Sequence, residues 1–134
     1  MTSNAPAPRA LVVGHGDFAA GIVSAVAAIA GRGGDFVALS NTALAPDGIE
    51  RAIRETVEGL SLTVVFTDLP GGSCTIGARK VQRLRPALVV VAGTNVATLL
   101  DFTMNDAMPA REAAARAIAR GRDAMLLVEG AGAR

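Results

Sequence analysis

Short apolar runs alternate along the chain with longer stretches whose apolar residues recur every three or four positions. Residues 10–13 form the first run, which stops at Gly14-His15-Gly16. Between residues 18 and 29, Phe18, Ile22, Val26 and Ile29 keep helical spacing, which predicts a buried helix ended by Gly31, Gly33 and Gly34. Residues 36–39 predict a second strand. After a polar loop, Pro46 and Asp47 open a helix that carries Ile49, Ile53 and Val57. Residues 62–66 predict a third strand running into Thr67-Asp68-Leu69-Pro70-Gly71-Gly72-Ser73, and the helix that follows, from about Cys74, stops at Pro86. Residues 87–91 predict a fourth strand ending in Gly93-Thr94-Asn95. Helix returns over residues 96–102 and 109–120, and residues 124–128 predict a short closing strand.

Strands two to four are nearly continuous apolar runs, the signature of a parallel sheet covered on both faces. Alternating strands and helices then give one doubly wound, three-layer α/β domain. No repeat, low-complexity block or linker divides it. The expected boundaries are a disordered leader over residues 1–9, the domain over 10–129 and a frayed tail over 130–134.

Composition narrows the function. The 134 residues are 51% hydrophobic and 19% charged with a net charge of +1, which excludes a disordered or acidic solvating segment. No basic stripe is present, and four Phe without Trp or Tyr offer little to stack on bases, so no nucleic-acid partner is expected. The single cysteine, Cys74, excludes an intramolecular disulfide and fits a reducing compartment. The opening residues lack a signal-peptide pattern, and no apolar run approaches the ~20 residues that cross a bilayer. A cytoplasmic protein without direct membrane insertion is the expectation.

In an open parallel sheet, ligands sit beyond the carboxyl ends of the strands, where strand order reverses. The polar residues just after each strand therefore carry the most weight. If strands one and three are neighbours across that point, the only histidine, His15, meets Asp68 there. An imidazole is nucleophilic through one nitrogen when an acceptor holds the other as N–H, and Asp68 could fix that tautomer and stabilise the charge formed on attack. Helix N-termini after Gly16 and Gly72 would offer amides to an anion, with Ser73 adding a hydroxyl. The set suggests phosphoryl transfer through phosphohistidine. No Walker loop is present, so the donor would be another phosphoprotein rather than a bound nucleotide. No metal or other cofactor is expected.

The segments Leu11-Val-Val-Gly-His-Gly-Asp-Phe-Ala-Ala-Gly21, Phe66-Thr-Asp-Leu-Pro-Gly-Gly-Ser73 and Val91-Ala-Gly-Thr-Asn-Val-Ala-Thr-Leu-Leu100 resemble, in order, three motifs of the mannose-type IIA components of the bacterial sugar phosphotransferase system. The resemblance spans residues 11–128. It implies that His15 accepts a phosphoryl group from the carrier HPr and passes it to a IIB component, with a IIC/IID permease as an indirect partner. Asp68 matches the aspartate that hydrogen-bonds the active histidine, and Ser73 the motif residue near the phosphate. The family fold implies a four-stranded parallel sheet of order 2-1-3-4 with an antiparallel fifth edge strand, here residues 124–128. Members are homodimers, some exchanging that strand. No IIB segment follows, so the resemblance implies a free-standing IIA subunit; many relatives have proline where this chain has Cys74. Some members serve as regulatory phosphohistidine modules without a permease, and the sequence leaves this alternative open.

Plainer roles stand beside these. Asp68 and Ser73 are capping candidates, Gly71-Gly72 can make a tight turn, Asn95 suits a turn or cap, and Asp17 an N-cap. Cys74 reads as a small packing residue, and Arg79, Lys80, Arg83 and Arg85 as a solvated helix face.

Overall fold

A computed structural model describes residues 7–132 of the chain. The apolar runs become strands β1 (Ala10–Gly14), β2 (Phe36–Ser40), β3 (Val64–Thr67) and β4 (Val89–Val91). The helical stretches become α1 (Phe18–Ala30), α2 (Pro46–Leu60), α3 (Ser73–Leu84), α4 (Val96–Met104) and α5 (Ala110–Asp123), with a 3-10 turn at Gly33–Asp35. The strands form one parallel sheet in the order β2-β1-β3-β4. Leu11 lies opposite Val37 on one side and Val65 on the other.

The period of two along β1 divides the core. Ala10 and Val12 face the layer of α1, α4 and α5, where they pack with Val26, Phe66, Leu99, Phe102 and Ala117. Leu11 and Val13 face α2 and α3, where Ile49, Ile53, Val57, Ala78 and Val81 close the second layer. Three layers around a parallel sheet result, as the alternating pattern predicts. The three apolar positions expected on α2 are all buried.

Three expectations need correction. Ile29 is 65% exposed, because α1 covers the sheet through Ala19, Ile22 and Val26, and its last turn carries Ile29 past that face. Burial on both faces holds for β1 and β3 but not for β2 and β4, whose residues are partly solvated because the strand order puts them at the edges. Among the described residues no fifth strand is formed: residues 124–128 make no ladder, and Met125, Leu126, Leu127 and Val128 are 75–89% exposed. A strand needs a hydrogen-bonded neighbour, and although Met125 lines a cleft with Val91 and Gly93 at the end of β4, this segment pairs with no described strand.

Residues 1–6 of the expected leader and 133–134 of the expected tail lie outside the described residues. Arg9 donates its backbone N–H to the carbonyl of Asp35 at 2.6 Å, and its guanidinium lies over the ring of Phe102. Among the described residues no helix is long and apolar enough to cross a membrane.

Candidate functional site

Strand pairing brings the two candidate residues together. Val13 is in register with Thr67, so the chain leaves β1 at Gly14-His15 beside the point where it leaves β3 at Asp68. Sheet order reverses here, since β1 runs on to β2 on one side and pairs with β3 on the other. Asp68 Oδ2 accepts the backbone N–H of His15 at 2.8 Å and lies 2.7 Å from His15 Nδ1. Its Oδ1 accepts the N–H of Leu69 at 2.9 Å. Burial alone would push the Asp68 carboxyl up. The backbone and ring hydrogen bonds of His15, its charge and the Leu69 amide outweigh that and hold it below the usual carboxylate range.

An ionised Asp68 only accepts, so Nδ1 is held as N–H and Nε2 carries the ring's lone pair. The His15 side chain is 46% exposed against 9% for Asp68. The carboxylate is thus enclosed while the imidazole's far edge stays open.

The start of α3 lies against the Cε1 side of the ring. A Cβ on Gly72 would stand 2.9 Å from His15 Cε1 and 3.7 Å from Nε2, so a side chain there would push the ring from this position. Gly72 is the N-cap, and its carbonyl accepts the first helical bond, from the Ile76 N–H. The amides of Ser73, Cys74 and Thr75 precede that bond and carry the positive end of the helix dipole beside the ring. Ser73 occupies the first helical position rather than the N-cap.

Gly16 has φ +55°, the left-handed backbone that turns β1 into α1. Its amide donates to Asn41 Oδ1 at 3.3 Å, so it is engaged by the protein rather than open to an anion. Ser40 Oγ donates to the Gly16 carbonyl at 2.7 Å, and the Asn41 N–H to that of Gly14. Ser40 and Asn41 therefore clamp the histidine loop from the end of β2. Sequence reasoning passed over them as polar loop; the available signal was a Ser-Asn pair at the carboxyl end of a strand. A second clamp lies under Asp68, where Thr67 and Thr75 hydroxyls bond at 2.5 Å and Thr75 Oγ1 donates to the Leu69 carbonyl.

The remaining candidates fall elsewhere. Asp17 is at the N-cap of α1 without a side-chain cap bond. Asn95 caps α4 by accepting the Thr98 N–H at 3.0 Å and donates to the Gly121 carbonyl, a structural role. Cys74 is buried under the site, where burial and the Asp68 charge push its thiol up against a smaller opposing effect of Ser73. Arg79, Lys80, Arg83 and Arg85 lie exposed on or just after α3, with Arg85 3.4 Å from Glu58.

The family described as PTS system fructose IIA component, where PTS is the phosphotransferase system, matches residues 9–119. No curated protein matches the chain at the level of sequence. Among solved structures, the mannose/sorbose-specific IIA subunit of the phosphotransferase system from Enterococcus faecalis superposes with a TM-score of 0.80 at 20% identity, covering 96% of this chain and 100% of that one. The phosphotransferase component EIIA from Streptococcus agalactiae gives 0.78 at 19% identity over 88% and 95%. A sigma-54 interaction domain protein from Enterococcus faecalis gives 0.63 at 13% identity over 90% and 93%. At these identities the likeness is one of fold.

Proposed function

The chain belongs to the family of fructose and mannose IIA components of the phosphotransferase system, and from that premise we propose that His15 is its phosphoryl acceptor. The group would come from the phosphohistidine of HPr and pass to a IIB component, whose permease moves the sugar. The observation that carries this is the 2.7 Å contact of His15 Nδ1 with a carboxylate held ionised, on a ring whose Nε2 is left free.

That geometry supports the following step. The Nε2 lone pair attacks phosphorus, the donor's N–P bond breaks, and its electron pair returns to the donor imidazole. Positive charge grows on the His15 ring, and Asp68 stabilises it through Nδ1–H without taking the proton. Gly72 and the first amides of α3 stand beside Nε2, where the transferred phosphate would rest, with Ser73 as a further donor. Gly16 serves by shaping the loop. Onward transfer reverses these events on the acceptor's side, in a protein working in the cytoplasm.

A homodimer belongs to the same proposal. The outer edge of β4 has no partner strand among the described residues, and clefts along it are lined by Val89, Val90, Val91 and Ile118. The exposed apolar residues 125–128 of a second copy would supply the antiparallel strand this edge lacks.

The test is incubation with phosphoenolpyruvate, enzyme I and HPr, followed by intact mass. Wild type should gain one acid-labile phosphoryl group and His15→Ala none; labelling of His15→Ala would refute the assignment. Passage of the label to a sugar-specific IIB component separates transport from a purely regulatory role.

A further inference from the structure

We infer that His15, Asp68 and Cys74 form a binding site for a divalent cation of the zinc class, whose occupation blocks the acceptor histidine. One ring nitrogen of His15, a carboxylate oxygen of Asp68 and Sγ of Cys74 all lie within 4.8 Å of one another. Nitrogen, oxygen and sulfur together suit Zn²⁺, whereas Mg²⁺ and Ca²⁺ take oxygen ligands. Three protein ligands leave the fourth position of a tetrahedral site for water.

Tetrahedral bonds of about 2.0–2.3 Å place ligand atoms roughly 3.3–3.6 Å apart. The 2.7 Å His15–Asp68 pair must therefore open slightly, and the thiol must close by up to roughly 1.2–1.5 Å. His15 sits half-exposed on a loop and has room to move. Zinc binds cysteine as thiolate, so a bound cation displaces the Cys74 proton to solvent.

Either ring nitrogen gives the same functional result. Coordination through Nε2 consumes the lone pair that would attack phosphorus. Coordination through Nδ1 moves the ring proton to Nε2 and removes that lone pair from use. Net release is one proton per cation, from Cys74. Binding rests on the three side chains alone, while the block rests on the acceptor role proposed above for His15.

The test titrates Co²⁺, then Zn²⁺, into the full chain. Wild type should develop a thiolate-to-cobalt charge-transfer band with four-coordinate visible bands, saturating at one equivalent and reversed by Zn²⁺. His15→Ala and Asp68→Ala should each weaken zinc binding at least as much as the roughly 10- to 100-fold lost with outer-shell partners. Calorimetry in two buffers should report one proton released. With zinc at about ten times its dissociation constant, phosphorylation from phospho-HPr should slow about tenfold, and Cys74→Ala should show a much smaller zinc-dependent ratio of rates. Absence of the band, or equal zinc affinity in His15→Ala, would mean adventitious binding only and overturn the site. A full band with zinc-insensitive phosphorylation would overturn the block. A wild type that accepts no phosphate even without metal would refute the acceptor reading alone, because the cobalt spectrum needs no phosphoryl donor.

Discussion

The two ends of the sheet each hold an enclosed carboxylate, and the difference between them separates structure from chemistry. At the amino end, Asp35 precedes β2 beside Arg9, which precedes β1. It is 1% exposed, lies 2.9 Å from Arg32 and 3.7 Å from Arg9, and accepts the Thr103 hydroxyl. Its charged partners are guanidinium groups, which stay protonated at any ordinary pH. At the carboxyl end, Asp68 follows β3 beside His15, which follows β1. Its partner is an imidazole whose other nitrogen faces outward. Both carboxylates are satisfied, but only the second has a partner able to form a bond with something else.

The largest predicted effect tests that distinction directly. Asp68→Ala should slow phosphoryl acceptance by about 10²-fold, as expected when an orienting carboxylate is lost, with the fold retained. A wild-type rate would make the two ends equivalent. Asp35→Ala should do the reverse, costing about 2–3 kcal/mol in urea unfolding and leaving the transfer rate unchanged. That cost sits below the full penalty for a buried pair because both arginines reach solvent. Loss of transfer in a folded Asp35→Ala would show the ends to be coupled.

Smaller effects sharpen the carboxyl end. Gly72→Ala places a methyl group 2.9 Å from His15 Cε1 and should reduce the transfer rate about tenfold by pushing the ring off its seat. An unaltered rate would mean that the ring works away from α3. The smallest effect is on stability against pH. The Asp68 carboxyl titrates in the folded chain below its ordinary value of about 3.9. Its contribution is complete above that value and is lost as pH falls through the lower folded one. The stability gap between wild type and Asp68→Asn should therefore hold near neutrality and close below about pH 4. A gap that widens toward acid would reverse the sign of the shift.

Much of this was legible in the sequence because each signal was local and repeated. Ile49, Ile53 and Val57 fix the buried face of α2, and the apolar runs with their glycine stops place His15 and Asp68 at strand ends. Their meeting needed only the strand order. Edge effects were less legible: the apolar runs of β2 and β4 look like those of β1 and β3, and nothing within the runs says which strand lacks a neighbour. The closing strand failed for a related reason, since residues 124–128 have a strand's composition without a ladder partner among the described residues. Ser40, Asn41 and Thr75 were missed because a single hydroxyl or amide acquires a role only when distant segments converge on it. The proximity of Cys74 to the His15–Asp68 pair was hidden in the same way.

The bare apolar tail has an energetic consequence of its own. Among the described residues its four large side chains stay exposed and the flank of β4 carries no strand, and in the proposed homodimer a second copy would satisfy both. In that homodimer folding would be linked by mass action to association, and resistance to heat should grow with the amount of protein in solution. Crowded, the chain would hold a closed sheet; diluted, it would carry an adhesive end in search of any strand edge.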